Sequence, residues 1–179
     1  TFLGKAFPEG GYTSYADLLL NAGKRYGVNP FILASKLINE HGSDGDSGSV
    51  SGKVKGYEGY YNYFNIGAYA HSGRSAIENG LIYAKEHGWD SREKSIMAGT
   101  EFFAKDYIRS NKTTAYFQKF NVMNGASAVA RGQYMTALWG ANSTGVTLGK
   151  GYVSAYSSAL TFEIPVYLNM PTLPAPYPR

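Results

Sequence analysis

The residue in this chain best placed to move a proton is Glu40, within the run LASKLINEHGSDGDSG at 33–48. The first half of the run has helical periodicity. The second half is glycine, serine and aspartate, so the helix must stop near Gly42. At about 100° per residue, Glu40 lies beside Leu33 and Leu37, at the edge of an apolar arc that also holds Phe31, Ala34 and Ile38. Two effects then act on its carboxyl group. Partial burial disfavours the charged form, and so does the partial negative charge at a helix C-terminus. Both raise the pKa, and a carboxylic acid that keeps its proton near neutrality is what a general acid requires. The plainer alternative is an acid that swings out to solvent or pairs with Lys36 or His41. The flexible, glycine-rich run after Glu40 suits the lip of a cleft.

Other chemistries find little support. Asp44-Gly45-Asp46 opens like a calcium loop, but Lys55 stands where an EF-hand needs glutamate. There is no HExxH, and His41, His71 and His87 lack ligand-like spacing. No metal or other cofactor is expected. The chain has no cysteine, which excludes disulfides and thiolate sites. No apolar run approaches the roughly 20 residues of a membrane span, so membrane insertion is not expected. The formal charge of +4 is spread along the chain without a dense Lys/Arg run, which argues against nucleic acid and leaves an anionic wall or surface as a partner. Sixteen tyrosines and 22 glycines fit carbohydrate binding, because ring faces stack on sugar faces; ordinary packing explains them equally well.

The elements that must position Glu40 are mostly helices. SYADLLLNAGKRYG is capped by Thr13 or Ser14 and closed by Gly27. VNPFILASKLINEHG is capped by Asn29, with Pro30 at the first helical position and Gly42 at its end. Residues 43–56 read as an exposed loop. GYEGYYNYFNIGAYA carries strand-favouring aromatics and reads as a short hairpin or extended segment. Helical patterns resume at GRSAIENGLIYAKEHG, at DSREKSIMAGTEFFAKDYIRS with Asp90 and Glu93 in capping-box spacing, at TTAYFQKF, and in the glycine-interrupted stretch from VARGQYM to YSSAL. Glu78, Glu86, Glu93 and Glu101 read as helix-surface charges. The tail IPVYLNMPTLPAPYPR holds five of the seven prolines and reads as an arm or linker. The expected organisation is a mainly α domain over residues 1–163 with one small β element, and a proline-rich arm over 164–179. Beginning at Thr1, the chain reads as a piece of a longer protein.

Three stretches in order, LINEHGSDG, YEGYYNYFNIGAY and GQYMTALWGAN, resemble the motifs of the endo-β-N-acetylglucosaminidase domains of bacterial autolysins, glycoside hydrolase family 73. The likeness spans roughly residues 12–160, and the middle motif is the most specific. The departures are His41, where many relatives have Thr or Ser, and the long polar loop 43–56. The resemblance implies a lysozyme-like α+β fold, a helical bundle with a small β-hairpin flanking a substrate groove. It implies Glu40 as general acid and Tyr134 as a groove tyrosine beside the cleaved bond. A second carboxylate, where one exists, is expected at Glu58, with Asp44 and Asp46 as the other candidates; the substrate's own acetamide is the alternative route. Tyr60, Tyr61, Asn62, Asn65, Gly67, Ala68, Gln133 and Trp139 are the expected sugar contacts, with Phe64 and Ile66 in the core and Trp89 in a packing role. The implied partner is the glycan strand of peptidoglycan, and the implied place is outside the cell or in the wall of a Gram-positive bacterium. A muramidase or lytic transglycosylase on the same fold, and a non-catalytic wall-binding module, remain the alternatives.

Overall fold

Each helix begins where a small polar side chain caps it. The computed structural model describes residues 1–128, 131–133, 139–152 and 161–173. Helix α1 (Tyr15–Tyr26) starts at Ser14, whose side chain accepts from the Asp17 amide, and ends at Gly27 in the left-handed region. Helix α2 (Pro30–His41) starts at Asn29, which accepts from the Phe31 amide, and ends at Gly42. Helix α3 (Gly48–Ser51) is a single turn inside the 43–56 loop. Helix α4 (Ala76–Glu86) opens with a capping box between Ser75 and Glu78. Helix α5 (Arg92–Asp106) is capped by Ser91, not by the expected Asp90. Asp90 instead pairs with Lys94 at 2.6 Å. The box that Glu93 was expected to complete is supplied from a distance: the Glu9 carboxylate accepts from the amides of Arg92 and Glu93 at 2.8 and 3.1 Å. Helices α6 (Ala115–Phe120) and α7 (Gly140–Tyr152) follow.

Helix α1 packs on α2 and α5, and α2 also packs on α7, which in turn meets α6. Leu18, Leu33, Leu37, Ile96 and Ala104 in the centre of these contacts are wholly buried. Each fully buried leucine or isoleucine contributes on the order of 1.5–3 kcal/mol, so the middle of α2 is fixed and its C-terminal turn is held at a defined place. Phe2, Leu3 and Phe7 of the N-terminal segment close the same core.

The aromatic segment departs from expectation in detail. Among the described residues there is no β ladder; the β element is reduced to isolated antiparallel bridges, His71↔Arg74 and Ala6↔Ser14. Residues 57–68 form successive turns. Asn65 and Gly67 adopt positive φ, 48° and 71°, which breaks an extended run. The Asn62 side chain also takes over the backbone pairing a ladder would need: its Oδ1 accepts from the Ile66 amide at 3.1 Å, and its Nδ2 donates to the carbonyls of Ile66 and Gly80, both at 2.8 Å. The mainly helical, lysozyme-like class stands. In the described part of the tail, Tyr167 shares a 2.6 Å hydrogen bond with Tyr116 of α6, and Thr113 donates to Glu163. No helix among the described residues is long and apolar enough to cross a membrane.

Candidate active site

Glu40 stands in the last turn of α2, half-buried, on the wall of a groove of about 320 Å³. That volume lies at the lower end of the range for small-ligand sites. Two further elements complete the walls. The 64–68 turn contributes Phe64, Asn65, Ile66, Gly67 and Ala68, and the end of α5 contributes Gly99, Phe102, Phe103 and the following Tyr107. Glu40 is the one carboxylate among the described lining residues.

The turn is built to present Asn65 to Glu40. With Asn62 locked beneath it, the chain passes through the left-handed conformation at Asn65, which asparagine tolerates better than most residues. The Asn65 amide Nδ2 then donates to Glu40 Oε2 at 2.9 Å. Its Oδ1 is buried and has no hydrogen-bond partner among the described residues. A buried, unpaired acceptor costs about 1–3 kcal/mol. Gly99 allows the turn to sit close, because the Phe64 ring lies where a Cβ would stand.

His41, the residue that departs from the related motif, ties the helix end to the turn. Its Nε2 lies 2.8 Å from the Tyr63 carbonyl, and its Nδ1 lies 2.7 Å from Ser47 Oγ. A carbonyl only accepts, so Nε2 carries the proton and Nδ1 accepts from the serine hydroxyl. Burial pushes the imidazole pKa down, which agrees with this neutral form. The contact anchors the loop after α2 and the aromatic segment to the same turn that carries Glu40.

The aromatic wall is backed by cations. The Phe103 and Tyr107 rings stack at 5.2 Å. Lys36 Nζ lies 4.6 Å from the centre of the Phe103 ring, and Lys112 Nζ lies 4.5 Å from that of Tyr107. Both lysines are buried. Burial brings the Lys36 pKa down to about 7, opposed by the nearby Glu40 carboxylate.

The expected site residues divide. Glu40, Asn65, Gly67 and Ala68 come together in the groove, joined by Phe64 and Ile66, which were expected to serve the core alone. Tyr61 and Asn62 are corrected: both turn inward. Asn62 is fully buried and spends its amide on backbone, while Tyr61 accepts from Arg92 Nη1 at 2.9 Å and stacks under that guanidinium. Glu58 is exposed and accepts from the Gly56 amide at 3.0 Å, closing a tight turn; like the exposed Asp44 and Asp46, it does not line the groove. Tyr60 is half-buried, with Lys85 Nζ 5.8 Å from its ring centre. Gln133 is half-buried, and Trp139 is 53% exposed just before α7; neither is among the lining residues. Tyr134 lies outside the described residues. Trp89 is buried against Tyr83, in the packing role expected of it. Sequence reasoning missed Phe102, Phe103 and Tyr107. Two adjacent phenylalanines ending a helix, followed four positions after Phe103 by a tyrosine, were the available signal.

A carboxyl group at a helix end, facing an aromatic-walled groove in a mainly helical domain, defines the lysozyme-like class of glycan-cleaving folds. The comparisons place the chain more narrowly. It is 32% identical over 153 residues to a bifunctional autolysin of Staphylococcus epidermidis, a match that covers 82% of this chain and 11% of the relative. A catalytic mutant of Staphylococcus aureus autolysin E, crystallised with the disaccharide NAG-NAM, superposes with a TM-score of 0.62 at 29% identity, over 77% of this chain and 59% of that one. S. aureus glucosaminidase B superposes at 0.55 and 31% identity, over 76% and 52%. No family model matches the chain. The chain therefore spans about a tenth of the length of the curated relatives it matches. It is a relative of the staphylococcal autolysins and has the fold of their glucosaminidase structures, as the resemblance to glycoside hydrolase family 73 implies.

Proposed function

We propose that this domain is a peptidoglycan hydrolase, an endo-β-N-acetylglucosaminidase that cleaves the β-1,4 bond between N-acetylglucosamine and N-acetylmuramic acid. Glu40 is its general acid. The observation that carries the proposal is the Glu40–Asn65 pair on the wall of an aromatic groove. A related protein binds the disaccharide NAG-NAM, and its catalytic mutant replaces a glutamate by alanine.

The geometry suggests the division of labour. The Asn65 amide holds Glu40 Oε2 as an acceptor, so the transferable proton belongs on Oε1. Phe102 and Tyr107 offer ring faces to the apolar faces of the sugars, with the buried Phe103 ring stacked behind Tyr107. As the proton passes to the glycosidic oxygen, the C1–O bond breaks and its electron pair leaves with that oxygen. The sugar's own acetamide oxygen attacks C1, and water then opens the resulting ring; this route needs one carboxylate. The formal charge of +4 favours retention on an anionic wall, and the proposed place of action is the wall or the medium outside the cell.

The test is digestion of purified peptidoglycan by the wild-type chain and by Glu40→Gln, with borohydride reduction and mass spectrometry of the products. Glucosaminitol ends, absent with the variant, are expected. Muramitol or anhydromuramic ends overturn the bond assignment, and equal activity of Glu40→Gln overturns the acid.

A further inference from the structure

The glycan strand of peptidoglycan is a polymer, and a groove of about 320 Å³ encloses only a short piece of it. The rest of a bound strand must leave over the rim. At one rim the lining run 64–68 continues directly into Tyr69, whose amide donates to the Gly67 carbonyl at 3.1 Å. Tyr69 is 63% exposed. Of the exposed aromatic residues among those described, it is the one that directly follows a lining residue in the chain. Nothing in the reaction scheme above uses it.

The Tyr69 ring is held in place. It stacks on the ring of the exposed His71, with centroids 4.7 Å apart and planes 25° apart. Both residues belong to a tight hairpin tip, in which His71 and Arg74 form an antiparallel bridge and the Arg74 amide donates to the His71 carbonyl at 3.0 Å. Ser72 and Gly73, between them, both have positive φ, 53° and 74°, as a type I′ turn requires. Serine rarely adopts that conformation, so the surroundings must impose it. They include Asn79 of α4, a buried side chain whose Nδ2 donates to the carbonyls of Tyr69 and His71 at 2.9 and 3.3 Å. The next residue of α4, Gly80, accepts from Asn62, which holds the 64–68 turn. Consecutive residues of one helix therefore fix the groove wall and the tip in one register.

We propose that the Tyr69–His71 pair is an outer sugar-binding platform, on which a residue of the glycan strand beyond those in the groove stacks. The inference rests on the reading of the groove as a glycan site. The apolar face of a sugar ring matches an exposed flat ring, and the contact removes apolar surface of both partners from water. A tyrosine on a loose loop would first have to be ordered. This pair is ordered already, so that cost does not fall on binding. The occupant is the glycan rather than a peptide stem. A peptide strand would pair with backbone carbonyls, and those of Tyr69 and His71 already accept from Asn79, that of His71 also from the Arg74 amide.

The experiment measures binding of peptide-free glycan, a disaccharide and a long strand, by titration calorimetry. Glu40→Gln serves as the parent chain so that the strand stays intact, and Tyr69→Ala, Tyr69→Phe and His71→Ala are added to it, with melting temperatures as the folding control. The parent should bind the long strand more tightly than the disaccharide. Tyr69→Ala should weaken the long strand by about three- to tenfold, the range of one aromatic contact, and so remove most of the preference for length. Tyr69→Phe keeps the ring and should keep the preference, and His71→Ala should fall between the two. Equal affinity of the parent for both lengths, or an undiminished preference in Tyr69→Ala, would overturn the proposal. A loss seen only with strands that carry peptide stems would overturn it as well, and would assign the tip to the stems. Binding is read without cleavage, so the acid fails separately: an active Glu40→Gln overturns Glu40 alone, and the length preference is then read from KM.

Discussion

Asn62 and Asn65 lie three residues apart in one aromatic segment, and the structure uses them in opposite ways. Asn62 is wholly buried, with both ends of its amide bonded to backbone. Asn65 sits in a left-handed turn with one end on the catalytic candidate and the other unpaired. The first half of the segment holds the turn, and the second half lines the groove. The lesson is that a motif rich in sugar-binding residue types need not place them all on the sugar. A turn that presents one side chain at a fixed angle needs another spent on holding the turn.

The largest effect that tests this division is at Glu40. Glu40→Gln should lower turnover by about 10²–10⁴-fold with an unchanged melting temperature, read from the release of reducing ends and a thermal melt. Next comes the asparagine pair. Asn65→Gly, which removes the amide but keeps the left-handed turn, should cost about 10–100-fold in kcat while barely moving the melting temperature, because the lost donor serves the acid and the lost acceptor is already unpaired. Asn62→Ala should do the reverse. It leaves the Ile66 amide and two carbonyls without their partner at about 1–3 kcal/mol each, and at about 2–4 °C per kcal/mol for a chain of this size the melting temperature should fall by about 6 °C or more. If both substitutions damaged activity and stability alike, the boundary between scaffold and site would disappear.

A smaller effect concerns the anchor between the two halves. His41 is folded as neutral imidazole with its pKa pushed down by burial. The unfolded chain therefore binds its proton first, and His41 contributes stability above about pH 6.5 that is lost as pH falls through the unfolded and then the folded pKa. Thermal melts from pH 7.5 down to 5 should show this loss, and His41→Gln should flatten it. The smallest effect is expected at Glu58. Glu58→Gln should stay within about twofold of wild-type activity, since its carboxylate closes an exposed turn. A hundredfold loss there would restore a second catalytic carboxylate and remove the acetamide route.

Much of this was legible in the sequence, and the legible part is local. The caps at Ser14 and Asn29, the stops at Gly27 and Gly42, and Glu40 at the end of an apolar helix follow from rules that act over four or five residues. Of the aromatic segment that carries the resemblance, residues 64–68 line the groove. The failures mix local and distant contacts. Ser91 and the distant Glu9 replaced the expected cap at Asp90, because a carboxylate 83 positions away from Arg92 reaches the first amides of α5. The expected hairpin became turns, because Asn62 bonds to Ile66 and Gly80.

The sequence by itself determined where the helices begin and end and which carboxyl stands at a helix terminus, since hydrogen bonds along one short stretch of backbone settle both. Only the tertiary structure decided which asparagine meets that carboxyl, that Glu58 stays away from it, and that Phe102, Phe103 and Tyr107 of another helix form the opposite wall. Those choices depend on how α2, α5 and the 64–68 turn pack against one another, and packing brings together side chains whose separation along the chain carries no trace of their contact.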